Sequence, residues 1–391
     1  MTQLDYRTAG ESHGQALIAL VEGIPAGLKL DENEINAALR RRQGGYGRGG
    51  RMKIEQDRVN VLSGVRRGVT IGSPIALQIA NKDWRIDEAP EINRPRPGHA
   101  DFAGSMKWLT ADCRPVLERA SARETAARVA AGAVAAMLLR EFGIDVAGYV
   151  TQIGDVAVAP DVSGEAVGDV AEIRKRRDGN DVYCVDPSTA PAMIEAIKAA
   201  KAAKDTLGGV VEVTATGLPP GLGSCTQWTE RLDGRLMGAV GAIQAIKGVE
   251  IGLGFGCASR PGSDVHDALN FDPAQRESFN LGFIRRTNRA GGLEGGMSNG
   301  MPVVIRAAMK PISTLLQGMD SVNLRTLCPE RSDYERSDIC SVPAASVVVE
   351  NVVAFELARA FLEKFAGDTM DEVRAAVSSF LQAARSLSTS P

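Results

Sequence analysis

The sequence predicts an α+β fold. Strand-like and helix-like stretches follow one another in mixed order, without the regular strand–helix rhythm of a parallel α/β sheet. No Gly/Ser linker and no internal repeat divides the chain. The 391 residues are 44% hydrophobic and 24% charged, with a net charge of −3. That composition is globular, and although such a length often means two or three domains, one integrated domain is expected over 1–391.

The elements follow in order. QALIALVE at 15–22 alternates as a strand and runs into a Gly/Pro turn at 23–27. Asp31 and Glu34 have the spacing of a capping box, opening a short helix through about Arg42. Strands are expected at 59–62 and 75–79. Residues 82–116 are rich in Pro, Asp and Arg, lack periodicity, and are read as one long irregular, functional stretch. Ser121 and Glu124 form a second capping box, opening an Ala-rich helix to Phe142 that Gly143 stops. Its small residues let neighbours approach closely, so it is read as a buried central helix. A helix at 190–204 and strands at 209–215, 249–254 and 303–309 follow. Helices at 345–366 and 369–385 close the chain, parted by Gly367 and Asp368.

Composition narrows the function. The longest uncharged apolar run, 129–139, is too short to cross a bilayer. The polar start of the chain is read as lacking a signal peptide, and six cysteines without a CxxC are expected to be reduced, cytoplasmic thiols. The three histidines are His13, His99 and His266, none paired as H-x-x-x-H, so no metal site is expected.

Against the acidic whole, residues 40–51 (RRRQGGYGRGGR) concentrate five arginines and five glycines. Arginine is a planar, multi-donor cation suited to phosphate and carboxylate, and glycine lets backbone N–H groups approach an anion. Three readings stand at this level: a receptor for a small polyanion, an RGG-like contact with nucleic acid, or an exposed loop. GESHG at 10–14 matches the pattern of a hydrolase nucleophile at Ser12, but strand-like ALIALV follows where a helix is needed. The alternative there is His13 as an acid or base in a glycine-flanked turn, against a structural histidine. RPRPGHAD at 94–101 sets His99 in a rigid turn beside two arginines, with Asp101 placed to orient the ring; an exposed Pro-rich turn is the plainer reading. ERASARETAAR at 118–128 offers Arg119, Ser121, Arg123 and a helix start, or simply a capped helix with surface arginines. AGGLEGGMSNG at 290–300 fits neither nucleotide fingerprint and is otherwise a wide turn. Lys310-Pro311-Ile312-Ser313-Thr314 brings a cation and two hydroxyls. Arg336-Ser337-Asp338 pairs a base with a carboxylate, a pattern usually met as a surface salt bridge.

Taken together and in order, GESHG, RRRQGGYGRGGRMKIEQD, RPRPGHAD, ERASARETAARVAAGA, KGVEIGLGF, GGLEGGMSNG, KPIST and RSDICSVPAASVVVEN resemble the chorismate synthase family. The resemblance spans about residues 1–365. It implies a single large β-α-β sandwich, usually tetrameric. It also implies a lyase that converts 5-enolpyruvylshikimate 3-phosphate to chorismate and phosphate with reduced FMN and no net redox change. By the same resemblance His13 is an acid near the departing phosphate, His99 serves the reduced flavin, and Asp338 acts at flavin N5. Arg119, Ala120, Ser121, Gln244, Ala245, Gly295, Lys310, Pro311, Ile312, Ser313, Thr314 and Arg336 match FMN-binding positions. Arg42 and Arg48 match arginines for the substrate or nicotinamide phosphate, with Arg51 and Arg123 adding positive charge. Ala120 stands where some members have Ser, and Gln244 where Asn is common. His266 matches no catalytic motif. NADPH is expected only indirectly, through an external flavin reductase, since no dinucleotide fingerprint is present. The Arg/Gly segment is expected to close over the substrate phosphate. A nucleic-acid partner and a membrane are not expected.

Overall fold

In a computed structural model the chain is described at residues 3–50, 55–159, 169–333, 335 and 337–387. Two antiparallel sheets enclose a layer of helices. The first sheet is built from β1 (Asp5–Ala9), β2 (Ala16–Glu22), β3 (Val59–Val61) and β4 (Ile75–Ala80), in the order β1-β2-β4-β3. The second holds β5 (Asp145–Ile153), β6 (Val156–Ala157), β7 (Gly209–Thr216), β8 (Ile246–Ile251) and β9 (Val303–Met309), in the order β8-β9-β7-β5-β6. Between them lie α1 (Glu32–Gln43), α4 (Thr125–Arg140) and α8 (Val342–Lys364). The outer helices are α2 (Asp101–Trp108), α3 (Arg114–Ala120), α5 (Val170–Asp178), α6 (Ala190–Ala202), α7 (Leu232–Gly241) and α9 (Met370–Ser386). This is the α+β, β-α-β sandwich expected above.

Side-chain pattern explains the layering. Leu17, Ala19 and Val21 alternate along β2 and face the helices. On the other side β5 is buried on both faces, because Tyr149 and Ala147 pack outward under Val170, Ile173 and Val185. In α4 only Arg128, Ala136 and Arg140 escape burial. A Cβ on Gly132 would lie 2.3 Å from the Asn351 carbonyl oxygen and 2.5 Å from its Cβ, so α4 and α8 touch backbone to backbone.

Several expectations change. The stretch 82–116 is not irregular throughout: α2 lies within it and α3 begins in it. Arg114-Pro115 starts α3, where proline in the first turn loses no helical bond. A strand, β1, also precedes GESHG and makes a hairpin with β2, the strand expected after it, so no helix follows Ser12. Asp31 caps α1 through the Asn33 N–H at 2.8 Å, but Glu34 turns away to Arg140. Ser121 accepts from the Arg123 N–H at 3.2 Å and opens a 3-10 turn, so α4 proper begins at Thr125. The final long helix starts three residues early, with Pro343 in its first turn.

Gly132→Ala should lower stability by about 1–3 kcal/mol through overpacking, read as an earlier urea midpoint. An unchanged midpoint would show that the two helices can separate without cost.

Candidate functional site

The site is assembled at the ends of the central helices. His13 sits in the β1–β2 turn, and the buried Glu118 of α3 reaches it. One carboxylate oxygen accepts the His13 main-chain N–H at 2.7 Å, and the two oxygens lie 2.9 and 3.1 Å from the ring Nδ1. Burial works against the Glu118 charge, but the bonds from His13 and the charges of His13 and Arg114 hold its pKa below the ordinary value. Asn81 ties the turn down from β4's end, donating to the carbonyls of Glu11, Ser12 and Gly14 at 3.3, 3.3 and 2.7 Å.

His99 repeats the pairing. Its Nδ1 contacts the buried Asp101 carboxylate. Asp101 also accepts three bonds from Arg96, at 3.1 Å from the main chain and at 2.8 and 3.1 Å from the guanidinium. Burial opposes that charge too, yet the bonds from His99 and Arg96 hold the Asp101 pKa well below the carboxylate range. Arg96 continues to Thr314 Oγ1 at 3.0 Å, and Lys310 donates to the Gly98 carbonyl. Burial, then Lys247, lowers the Lys310 pKa.

Hydrogen bonds link most of the described FMN-matching positions into a seam that runs from the His13 turn to the His99 turn. Arg119 donates to the Gly10 carbonyl at 3.0 Å and to Thr8 at 3.0 and 3.1 Å. Ser121 Oγ bonds Ser12 Oγ at 3.2 Å. Gln244 donates to Glu124 at 3.0 Å, and Glu124 accepts from Thr8 at 2.6 Å. Ala245, at φ +68°, accepts the Lys310 N–H at 2.9 Å. Ile312 accepts from Thr206, and the Ser313 Cβ would lie 3.6 Å from a Cβ on Gly98. Pro311 is exposed beside them, and Ala120 contributes a half-buried methyl. Gly295, at φ +60°, turns the 293–298 hairpin, and among the described residues no hydrogen bond joins it to the others.

The arginines are less free than the sequence suggests. Arg42 is buried and donates to Thr125 Oγ1 at 3.0 Å and to the Ala122 carbonyl at 2.8 Å, with Asp57 at 3.4 Å. Burial, and then the neighbouring Arg123 and Arg48, lower its pKa to about 9, so it stays charged at neutral pH. Arg123 holds both oxygens of the buried Asp57 at 2.6 and 2.8 Å and reaches Asn81 at 2.9 Å. Arg48 pairs with Asp338 at 2.7 Å and with Ser341 at 3.2 Å, while the Gly49 N–H donates to Asp338 at 2.6 Å. Arg41 instead meets Glu350 on the other side of α1, and Arg40 is exposed. Arg51 and Arg336 lie outside the described residues. His266 sits beside the turn at Gly262, apart from these groups.

Asn81, Arg123 and Asp57 therefore join the Arg/Gly side to the His13 turn, and the Gln244-Ala245 pair joins that turn to His99. Sequence reasoning missed Glu118, Asn81 and Asp57 as site residues. A carboxylate inside a basic run (Glu118 before Arg119, Asp57 after the arginine segment) was the available signal. Among the described residues no group of His, Cys, Asp and Glu is arranged to hold a metal ion, and no helix is long and apolar enough to cross a membrane.

A layered sandwich with two histidine–carboxylate pairs and a ring of balanced arginines defines an enzyme built for a small, highly anionic substrate. Comparison with known proteins gives the family. The chorismate synthase family model matches residues 4–362. The chain is 55% identical to the chorismate synthase of Desulforudis audaxviator over 95% of each chain. It is 53% identical to that of Moorella thermoacetica, over 97% of this chain and 98% of the relative. A crystal structure of chorismate synthase superposes with a TM-score of 0.80 at 41% identity, covering 99% of both chains. The chain belongs to the chorismate synthase family.

Asp57→Ala should destabilise the fold by about 3–5 kcal/mol, because it leaves the buried Arg42 without its counter-ion and the buried Arg123 with only Glu55 at 3.9 Å. Urea denaturation checks this; a loss under about 1 kcal/mol would place the pair with solvent-screened surface bridges.

Proposed function

We propose that this chain converts 5-enolpyruvylshikimate 3-phosphate to chorismate and phosphate, the last common step of the shikimate pathway, with reduced FMN bound at the seam between the two histidines. The observation that carries the reading is that His13 with Glu118, His99 with Asp101 and Arg48 with Asp338 are each held in a fixed pair in a member of this family.

The residues suit a flavin. The Gln244 Oε1 is buried without a hydrogen-bond partner among the described residues, an acceptor suited to a ring N–H. Lys310, Ser313 and Thr314 offer a cation and hydroxyls for a phosphate, beside Arg119, Ser121 and Ala245. Reduced FMN, when bound, lends electron density to the substrate as the phosphate leaves. In the reaction the allylic C–O bond breaks with its electrons on phosphate, a proton leaves C6, and oxidation state is conserved overall. His13 supplies a proton from Nε2 to the departing phosphate, since Nδ1 is engaged by Glu118. His99 holds a proton at its free Nε2 toward the cofactor. Asp338, fixed by Arg48, the Gly49 N–H and Ser341, handles the proton leaving C6. Arg48 and Arg42, with Arg51, Arg123 and Arg336, balance the substrate's phosphate and two carboxylates, which would otherwise be buried at high cost.

Reduced FMN comes from an external reductase in this reading, and the enzyme works in the cytoplasm. Six cysteines without a disulfide support that compartment. The exposed Phe255, Leu269, Phe271 and Phe283 support a tetramer, which light scattering should find as four times the chain mass.

Under anaerobic conditions, protein with photoreduced FMN should release phosphate from the substrate, while NADPH and oxidised FMN without a reductase should not sustain turnover. His13→Ala and His99→Ala should each cut turnover by about 10²–10⁴. Asp338→Asn should slow turnover with FMN binding nearly intact. No phosphate from the wild-type protein sinks the reading.

A further inference from the structure

The two histidine–carboxylate pairs look alike, but their surroundings differ. Asp101 accepts three bonds from Arg96 besides the His99 contact, so a guanidinium already balances it. Among the described residues Glu118 has no such partner, and its nearest cation besides His13 is Arg114, whose Nη1 stands 3.5 Å away. The rest of that guanidinium is committed elsewhere, with Nη2 on Glu335 at 2.9 Å and Nε on the Pro90 carbonyl at 3.0 Å. The Glu118 side chain is 0% exposed, so water does not compensate it. A buried carboxylate needs donors, and here the His13 ring and main-chain N–H supply them.

The geometry of those donors matters. Glu118 grips His13 twice, through the main chain at 2.7 Å and the ring at 2.9 Å. The Glu118 main-chain oxygen also accepts the Ser12 N–H at 3.0 Å. A ring whose own backbone is held by the same carboxylate has little freedom to rotate. An ionised carboxylate accepts only, so the nitrogen facing it must be Nδ1–H. Nε2 is then the ring atom left for proton exchange, and the carboxylate offsets the positive charge while both nitrogens are protonated.

We propose that Glu118 is a positioning residue of the elimination: it fixes the neutral His13 ring as the Nδ1–H tautomer, presents Nε2 for proton transfer, and balances the imidazolium. The role rests on the function proposed above. Arg114 extends it, bridging Glu118 and Glu335.

The chain's three histidines make the test direct. In ¹⁵N-histidine-labelled full-length protein, long-range proton–nitrogen NMR separates protonated from unprotonated ring nitrogens, and the signals lost in His13→Ala assign His13. At alkaline pH the wild-type His13 should be Nδ1–H. Glu118→Ala should lose that preference and lower kcat by about 10²–10⁴, with KM and FMN affinity changed less than threefold. Glu118→Gln, which keeps an acceptor oxygen but not the charge, should retain the tautomer and recover part of kcat. A wild-type His13 in the Nε2–H form overturns the proposal, as does a Glu118→Ala protein with the wild-type tautomer and full kcat. If Glu118→Ala does not fold, the wild-type spectrum and the Glu118→Gln rate decide the matter. A wild-type protein that releases no phosphate defeats the function instead, and leaves the tautomer measurement standing.

Discussion

The contact between α4 and α8 governs the rest of the molecule. Gly132 lets the two backbones meet at Asn351, and both helices run from that contact back to the site. Thr125, in the first turn of α4, accepts from Arg42, and Ser341, just before α8, accepts from Arg48. One short helix and its loop, residues 32–50, thereby receive the start of both long helices. The positive ends of two helix dipoles converge where arginines also gather, which favours anionic occupants without one cation having to do all the work. The sheets matter mainly as walls: they bury the flanks of α4 and α8 and so keep the crossing in place.

Charge is settled before any substrate arrives. Asp57 holds Arg42 and Arg123, Asp338 holds Arg48, Asp101 holds Arg96, and Glu118 holds His13. Buried guanidinium groups are costly and repel one another, and the lowered Arg42 pKa shows both effects, burial first and then the nearby Arg123 and Arg48. Internal carboxylates keep the basic groups in position at modest electrostatic cost. An entering phosphate then meets donors already aimed by their counter-ions and does not have to order them itself, and this preorganisation is where such a site gains both affinity and specificity.

Much of the fold was legible because it rests on local pattern. Short apolar runs announced β2 and β4, and the Ala-rich run between Ser121 and Gly143 announced α4. The errors have physical causes. β5 reads poorly because it is buried on both faces and includes Gly148, where a Cβ would lie 2.3 Å from the Ser346 carbonyl. α2 and α3 hid among prolines that look like helix breakers, although Pro115 sits where a helix tolerates one. At the site, histidines and arginines stand out in a sequence, while Glu118, Asn81 and Asp57 each also bind a partner 42 or more residues away, and no local pattern records that separation.

The Arg/Gly segment illustrates how a composition can mislead about mechanics. Five glycines suggest a pliant flap or an RGG tail. In the fold, a Cβ on Gly45 would lie 2.6 Å from Pro343, one on Gly47 would lie 3.0 Å from Cys340, and one on Gly49 would lie 2.9 Å from the Ser337 carbonyl. Gly45 and Gly47 also take positive φ. These glycines are therefore small so that the loop can lie flush against the segment carrying Asp338, and the Ile339 N–H closes that contact on the Gly47 carbonyl at 2.9 Å. A loop docked so closely cannot swing away without carrying Arg48 off Asp338. Any closure over a substrate must then move both as a unit, which keeps Arg48 and Asp338 in fixed relation throughout.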